Sequence, residues 1–193
     1  MKLLNNKNSK FVERWHSDAF TDRKTALQIF QDVKKNLKII PNPYSGWRSA
    51  PNQSFKTIFI NEHGLRSKSL KNLKYKDNCL LLGGSVAWGF GATNNEKTPA
   101  YQIEKILSEK YNLNYNVINL SEQSHGSIEE LNTFVASFHE LKPKIVIFLA
   151  AFGTESRGLV PSSEQYPDLA VKTNILGLVN ILHECKKIEN RLI

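Results

Sequence analysis

The residue best placed for chemistry is Ser85, which follows an apolar run and two glycines at residues 80–84. An apolar run that stops at glycines, followed by a helical pattern from Thr98, is typical of a buried parallel strand ending at the carboxyl edge of a sheet. Ligands of open α/β sheets bind at that edge. The two glycines also let a substrate approach the main chain closely. Ser85 is therefore the first candidate nucleophile, and an inert serine in a glycine turn is the alternative.

Three other glycine motifs do not fit this stretch. A phosphate-binding P-loop would need lysine after Gly89, where Phe90 stands, and a dinucleotide-binding motif would need a third glycine within residues 92–94. The nucleophile elbow of α/β-hydrolases would need glycine two residues after Ser85, where Ala87 stands. No cluster with metal-ligand spacing is visible either. We therefore expect neither a cofactor nor a metal.

The elements that must position Ser85 alternate between strands and helices over residues 77–193. Apolar runs predict strands at 79–82, 115–120 and 145–151, and amphipathic patterns predict helices that begin near Thr98 and Ser127 and at about residue 169. Ser127 and Glu130 are spaced as a capping box. This alternation predicts right-handed βαβ units in an α/β fold, a three-layer αβα sandwich with a parallel, flavodoxin-like sheet.

Residues 1–76 are predicted to form a small N-terminal extension, helical within residues 9–38 and β-rich near residues 55–60. They hold 16 Lys and Arg against 5 Asp and Glu, in a chain whose net charge is +8. Such a surface could meet an anionic glycan, a membrane surface or nucleic acid. The lysines are scattered and no nucleic-acid-binding motif is present, so we expect a solvated basic face and no specific nucleic-acid partner.

The two cysteines, Cys79 and Cys185, are predicted to be free thiols, because one begins the central strand and the other lies in a helical pattern. The first ten residues contain only two adjacent leucines before a polar run. No signal peptide or membrane span is apparent, which favours a cytoplasmic location.

Residues 78–158 resemble the SGNH (GDSL-type) hydrolases. The first block of that family is similar to Gly83-Gly84-Ser85, and its second block is similar to residues 119–127, with Ser124 where the family has its oxyanion-hole glycine. The resemblance implies that Ser85 is the nucleophile and that the N–H groups of Ser85 and Ser124 are oxyanion donors. Serine can replace glycine as a backbone donor if its backbone angles permit.

The N-terminal extension carries a further likeness. Gly46-Trp47-Arg48, then an extended strand, then Asn61, Gly64 and Arg66 are similar to a segment that precedes the catalytic domain in a subset of bacterial SGNH proteins. Trp47 could equally cover the edge of a sheet.

The later SGNH blocks are incomplete. Gly153 stands where the family has an asparagine donor, and losing one such donor typically costs about 10² to 10³ in rate. The Asp-x-x-His block is absent, so the chain is expected to be truncated at its C-terminus relative to the family. His125, in the loop after the second strand, is the possible base if it lies within about 3 Å of the nucleophile. His183 has the right spacing after Asn180 but lies in a helical pattern.

The expected function is therefore hydrolysis of an acyl or acetyl ester of a glycan or lipid, weak or lost because the Asn, Asp and His of the family are missing. Two alternatives remain open: a non-catalytic remnant of the SGNH fold, and a module that binds anionic polymers. The resemblance implies a sheet of the family order 2-1-3-4-5, of which this chain would keep only the strands 2-1-3, so that the third strand becomes an edge. An exposed apolar edge predicts a homo-oligomer, cover by N-terminal segments, or poor solubility.

Overall fold

The structure is a computed structural model, and it describes residues 22–149 and 191–192. Five sequence-based predictions lie wholly or partly outside the described residues: the helical pattern before residue 22, the helix at about 169–188, Gly153, His183 and Cys185.

The N-terminal part contains one helix and two small hairpins. Helix α1 (Arg23–Gln31) begins at Asp22, whose carboxylate accepts hydrogen bonds from the N–H groups of Lys24 and Thr25, and it runs into a short π-helical turn (Asp32–Asn36). Four short strands follow, paired antiparallel as β1 with β2 and β3 with β4: β1 (Ile39–Asn42), β2 (Gly46–Ser49), β3 (Gln53–Ser54) and β4 (Phe59–Ile60). A 3₁₀ turn (Leu70–Asn72) leads into the main sheet.

The main sheet is parallel, and its strands lie in the order β6, β5, β7, β8. Its strands are β5 (Asp77–Gly83), β6 (Tyr115–Asn119), β7 (Ile145–Leu149) and β8 (Arg191–Leu192). The first three correspond to the predicted strands, and the predicted order of these three is confirmed. The third predicted strand is β7, and the prediction that it lies at the edge of the sheet is wrong for its first two residues, Ile145 and Val146. Residues near the C-terminus return to the sheet, where Arg191 pairs with Ile145 and Leu192 with Val146.

Helices cover both faces of this sheet, which gives the three-layer α/β architecture. These helices are α2 (Ser85–Trp88), α3 (Pro99–Tyr111) and α4 (Ser127–Leu141). Side chains of β5 alternate between the faces, as the two-residue period of a strand requires. Leu80 and Leu82 pack in one core cluster with Phe134 of α4, whereas Leu81 packs with Ala100 of α3 on the other face.

The start of α4 differs from the sequence-based prediction by one residue. Gly126 is the N-cap, and Glu129 accepts a hydrogen bond from the Gly126 N–H at 2.9 Å. The predicted box of Ser127 and Glu130 is therefore wrong. A glycine in extended conformation fits the cap position, and the glutamate three residues later completes the return bond.

The N-terminal part packs against α2 through a separate apolar cluster. Ile29 and Val33 of the first helical segment and Ile58 and Ile60 near β4 surround the indole of Trp88, which is fully buried. Burial of each such side chain contributes roughly 1.5–3 kcal/mol relative to exposure. This cluster therefore fixes α2, the helical turn that carries Ser85. Within the described ranges, no helix is long and apolar enough to cross a membrane.

Candidate functional site

Ser85 lies at the carboxyl end of the central strand, as the first residue of α2, and it is half-buried. The preceding turn requires glycine at position 83. A Cβ there would collide with the carbonyl oxygen of Leu149 and would lie 2.6 Å from the Cβ of Ala87. The absence of a side chain thus lets β5, β7 and α2 meet closely. The Ser85 Oγ makes no hydrogen bond with another residue of the described ranges.

Arg66 is buried and forms a hydrogen bond with Gly89, the residue at the end of α2. Its guanidinium is 1% exposed and donates to the carbonyl oxygens of Gly89 at 2.7 Å and Thr57 at 2.8 Å. It also lies over the Trp88 ring, 4.5 Å from the centroid. Burial lowers the pKa of Arg66 to about 10. Because Gly89 ends α2, this arginine holds the C-terminal end of the helical turn that begins at Ser85.

Asn61, Gly64 and Arg66 lie in one turn of the chain, and this turn positions the Arg66 side chain. The Asn61 Oδ1 accepts hydrogen bonds from the N–H groups of His63 at 2.9 Å and Leu65 at 3.0 Å. Gly64 has φ +76°, and a Cβ there would collide with the carbonyl oxygen of Ser49. The sequence pattern is therefore explained by a tight asparagine turn that needs a left-handed glycine.

Ser124 adopts a glycine-like backbone. Its φ is +59°, in the left-handed region, and the residue is exposed in the loop after β6. Few residues other than glycine adopt this conformation readily. The serine therefore takes the backbone shape that suits the glycine of the SGNH block. Its role as an oxyanion donor stays a prediction.

His125 packs against the N-terminal hairpin. The side chain is 2% exposed, and its Nε2 lies 3.0 Å from the carbonyl oxygen of Trp47. The imidazole and the Trp47 indole meet edge to face with their centroids 5.2 Å apart. No hydrogen bond joins His125 to Ser85 within the part of the chain that the structure describes. The assignment of His125 as a base stays a prediction.

Glu122 is a buried carboxylate that sequence reasoning missed. It is 5% exposed, and it accepts hydrogen bonds from the N–H groups of Ser49 at 2.6 Å and Gln123 at 2.8 Å. Burial raises the pKa of Glu122, against the lowering effect of these hydrogen bonds. The one available signal was its position, directly after a strand and between two candidate serines.

Glu122 and His125 line a cavity of about 410 Å³ between the β1–β2 hairpin, the turn around Gly64, and α4. Arg48 lines the same cavity, and Ser85 does not. The loop after β6 therefore contributes to two sites. Ser124 belongs to the predicted hydrolytic site, and Glu122 lines the cavity. In residues 22–149 and 191–192, no group of three or more His, Cys, Asp or Glu could hold a metal ion.

A family model described as polysaccharide biosynthesis protein matches residues 93–192, just over half of the chain. The chain belongs to this polysaccharide biosynthesis family. The family shown is thus not the SGNH hydrolases that the sequence resembles, and the SGNH relationship remains a proposal. Comparison with curated proteins gives no match by sequence.

Among solved structures, the chain is similar to the crystal structure of TesA, with a TM-score of 0.47 and 19% sequence identity. The match covers 60% of this chain and 58% of the TesA chain, so the chain spans less than two thirds of that structure.

In this member of the polysaccharide biosynthesis family, the matched segment begins eight residues after Ser85 and includes the loop that carries Glu122, Ser124 and His125. The α2 turn and the N-terminal hairpin precede it. Chemically, a half-buried hydroxyl at a strand end can attack an ester carbonyl once a base takes its proton.

Proposed function

We propose that this member of the polysaccharide biosynthesis family is an SGNH-type ester hydrolase that removes an acyl or acetyl group from a glycan, with Ser85 as nucleophile. The observation that carries the proposal is the position of Ser85. This serine is half-buried and is the first residue of α2, directly after the central strand. The left-handed backbone of Ser124 supports it, because that position is glycine in the resembling family. The family description supports a glycan rather than a lipid as the bearer of the ester.

In the proposed reaction, the Ser85 Oγ attacks the ester carbonyl and the N–H groups of Ser85 and Ser124 donate to the oxyanion. The sugar hydroxyl leaves, and water then releases the acyl group from the serine. His125 is the proposed base. Since its Nε2 faces the Trp47 carbonyl oxygen, the ring must turn away from that carbonyl or use its other nitrogen. Because this contact holds the His125 ring, we expect slow turnover.

The test is hydrolysis of p-nitrophenyl acetate and of an acetylated polysaccharide by the full chain, compared with Ser85→Ala. Ser54→Ala is the matched control, because Ser54 is exposed on β3. We expect hydrolysis above the buffer blank for the natural chain and the control, and blank values for Ser85→Ala. If the natural chain equals the blank, the hydrolase proposal fails and the non-catalytic remnant is the better description.

Loss of activity in His125→Asn with a retained fold would support the assignment of the base. Full activity in that variant would remove His125 from the mechanism while leaving Ser85 in place.

A second candidate function, binding of an anionic polymer, is favoured by exposed lysines in the N-terminal part. Residues 22–76 present Lys24, Lys34, Lys35, Lys38, Lys56, Lys71, Lys74 and Lys76 to solvent. Binding through such charges weakens with salt, because ions screen them. Retention on immobilised heparin that does not fall with added salt would count against this function.

A further inference from the structure

The cavity between the β1–β2 hairpin and α4 is separate from Ser85 and has the size of a small-molecule site. Its volume of about 410 Å³ lies within the usual range of about 300–1,000 Å³ for ligand pockets. Its lining includes the apolar side chains of Pro41 and Leu120 and the ring of Tyr44. It also includes the polar side chains of Arg48 and Ser121. A mixed lining of this kind fits a ligand with one apolar face and several polar groups.

Arg48 brings an unused hydrogen-bond donor to this cavity. Its side chain is half-buried on β2, and its Nε is enclosed without a hydrogen-bond partner among the described residues. By contrast, the guanidinium of the fully buried Arg66 donates to two backbone carbonyls and to the Asn95 Oδ1. Buried donors that lack acceptors are costly, so a ligand that accepts from Arg48 recovers that free energy.

Two carboxylates in the lining restrict the charge of the ligand. Glu122 and the exposed Glu140 line the same cavity. Both oxygens of Glu122 already accept backbone N–H groups, which holds this side chain in place. One guanidinium among two carboxylates opposes a dianion such as a phosphate monoester. A single carboxylate suits it, because arginine binds carboxylates through two parallel hydrogen bonds.

The rest of the lining suits a sugar ring. Hydroxyl groups of a sugar can donate to the Glu140 carboxylate and exchange hydrogen bonds with the Ser121 and Ser137 hydroxyls. The apolar face of the ring can pack on Pro41 and Tyr44, which line the same cavity.

We propose that this cavity binds a sugar acid, a monosaccharide unit with one carboxylate, and that Arg48 donates to that carboxylate. The proposal goes beyond ester hydrolysis and does not need Ser85. It is consistent with membership of a polysaccharide biosynthesis family, because glycans contain such units.

The test is titration of the full chain with glucuronate, glucose and glucose 6-phosphate, followed by calorimetry. The Ser85→Ala background keeps this test independent of hydrolysis. We expect saturable binding of glucuronate that is weakened about tenfold or more in Arg48→Gln, because hydrogen bonds to charged groups are lost. The affinity of Arg48→Lys for glucuronate should lie between those of the natural chain and Arg48→Gln, since lysine keeps the charge and lacks the planar guanidinium.

The matched control is Lys97→Gln, which removes an exposed positive charge outside the cavity and should leave the affinity for glucuronate unchanged. Because the Arg48 Nε makes no hydrogen bond within the described ranges and β2 pairs through its backbone, substitution of this side chain should not prevent folding, which thermal melting will verify.

Three outcomes would overturn the proposal. The first is equal affinity for glucuronate in Arg48→Gln, and the second is the absence of saturation up to about 50 mM glucuronate. The third is tighter binding of glucose 6-phosphate, which would indicate a phosphate site. Failure of hydrolysis with glucuronate binding intact would leave the proposal standing and reject only the hydrolase function.

Discussion

Replacement of Arg66 by alanine should strongly destabilise the fold around the Ser85 turn. Arg66 joins three separate segments, because its guanidinium donates to the carbonyl oxygens of Thr57 and Gly89 and to the Asn95 Oδ1. Within the described ranges it has no carboxylate partner, so these hydrogen bonds and the contact with Trp88 must offset the cost of burying its charge. Its lowered pKa is a direct sign of that cost.

The expected loss can be worked out from these contacts. The two short hydrogen bonds to carbonyls contribute about 1.5 kcal/mol each, because their donor is charged. The cation–π contact with Trp88 contributes about 1 kcal/mol at a buried position. The bond to Asn95, at 3.2 Å, is longer and adds less. Arg66→Ala should therefore lower the free energy of unfolding by about 4 kcal/mol, a large part of the roughly 5–15 kcal/mol typical of a domain.

The measurement is urea-induced unfolding of the full chain, followed by tryptophan fluorescence, to which Trp88 contributes beside the substituted residue. Lys97→Ala is the control, because Lys97 is exposed in the turn before α3 and should change the free energy of unfolding by no more than about 0.5 kcal/mol. A loss below about 1 kcal/mol for Arg66→Ala would refute the reasoning, since it would mean that the hydrogen bonds do not exceed the cost of burial.

Two further predictions concern the loop after β6. Ser124→Gly should raise the free energy of unfolding by about 0.5 kcal/mol, and Ser124→Val should lower it by more than about 1 kcal/mol, because φ of +59° suits glycine and opposes β-branched residues. Urea midpoints will show this, and equal midpoints for the two variants would contradict it. For Glu122, burial raises the pKa of the folded state above 4.5, so its contribution to stability is present below that pH and is lost as pH rises through the raised pKa. Glu122→Gln should remove this loss of stability at higher pH. If the urea midpoints of the natural chain and of Glu122→Gln change identically with pH, Glu122 does not contribute to the pH dependence of stability.

The sheet was predictable because its signal is local. Apolar runs ending at glycine or asparagine define β5 and β6, and the chain between them is long enough for a crossover helix. The order of the first three strands came from the resemblance to the SGNH hydrolases, because right-handed βαβ units alone do not decide which strand is central. The start of α3 was also predictable, since Pro99 suits the first turn of a helix and is found there.

The contacts that position the candidate site were not predictable, because they join residues far apart in the chain. Ser49 donates to Glu122 across 73 residues, and Trp47 donates to the Gln123 carbonyl oxygen across 76. Neither residue type nor spacing indicates such pairs. The same holds for β8, where two residues near the C-terminus complete a strand pair with β7. A two-residue strand carries too little periodicity to be recognised.

These long-range contacts bear on how the N-terminal part contributes to function. Glu122 has its shortest hydrogen bond with Ser49, and His125 faces the carbonyl oxygen of Trp47, so the loop after β6 is held by the β1–β2 hairpin. Arg66 holds the end of α2, on which Ser85 lies. A chain without residues 22–76 would leave Glu122 with one backbone donor fewer and would expose Trp88, both at a cost in free energy. The hydrolytic turn and the cavity thus depend on the same N-terminal segment, although Ser85 does not line the cavity. The two proposals can therefore fail separately through point substitutions, but not through deletion of that segment.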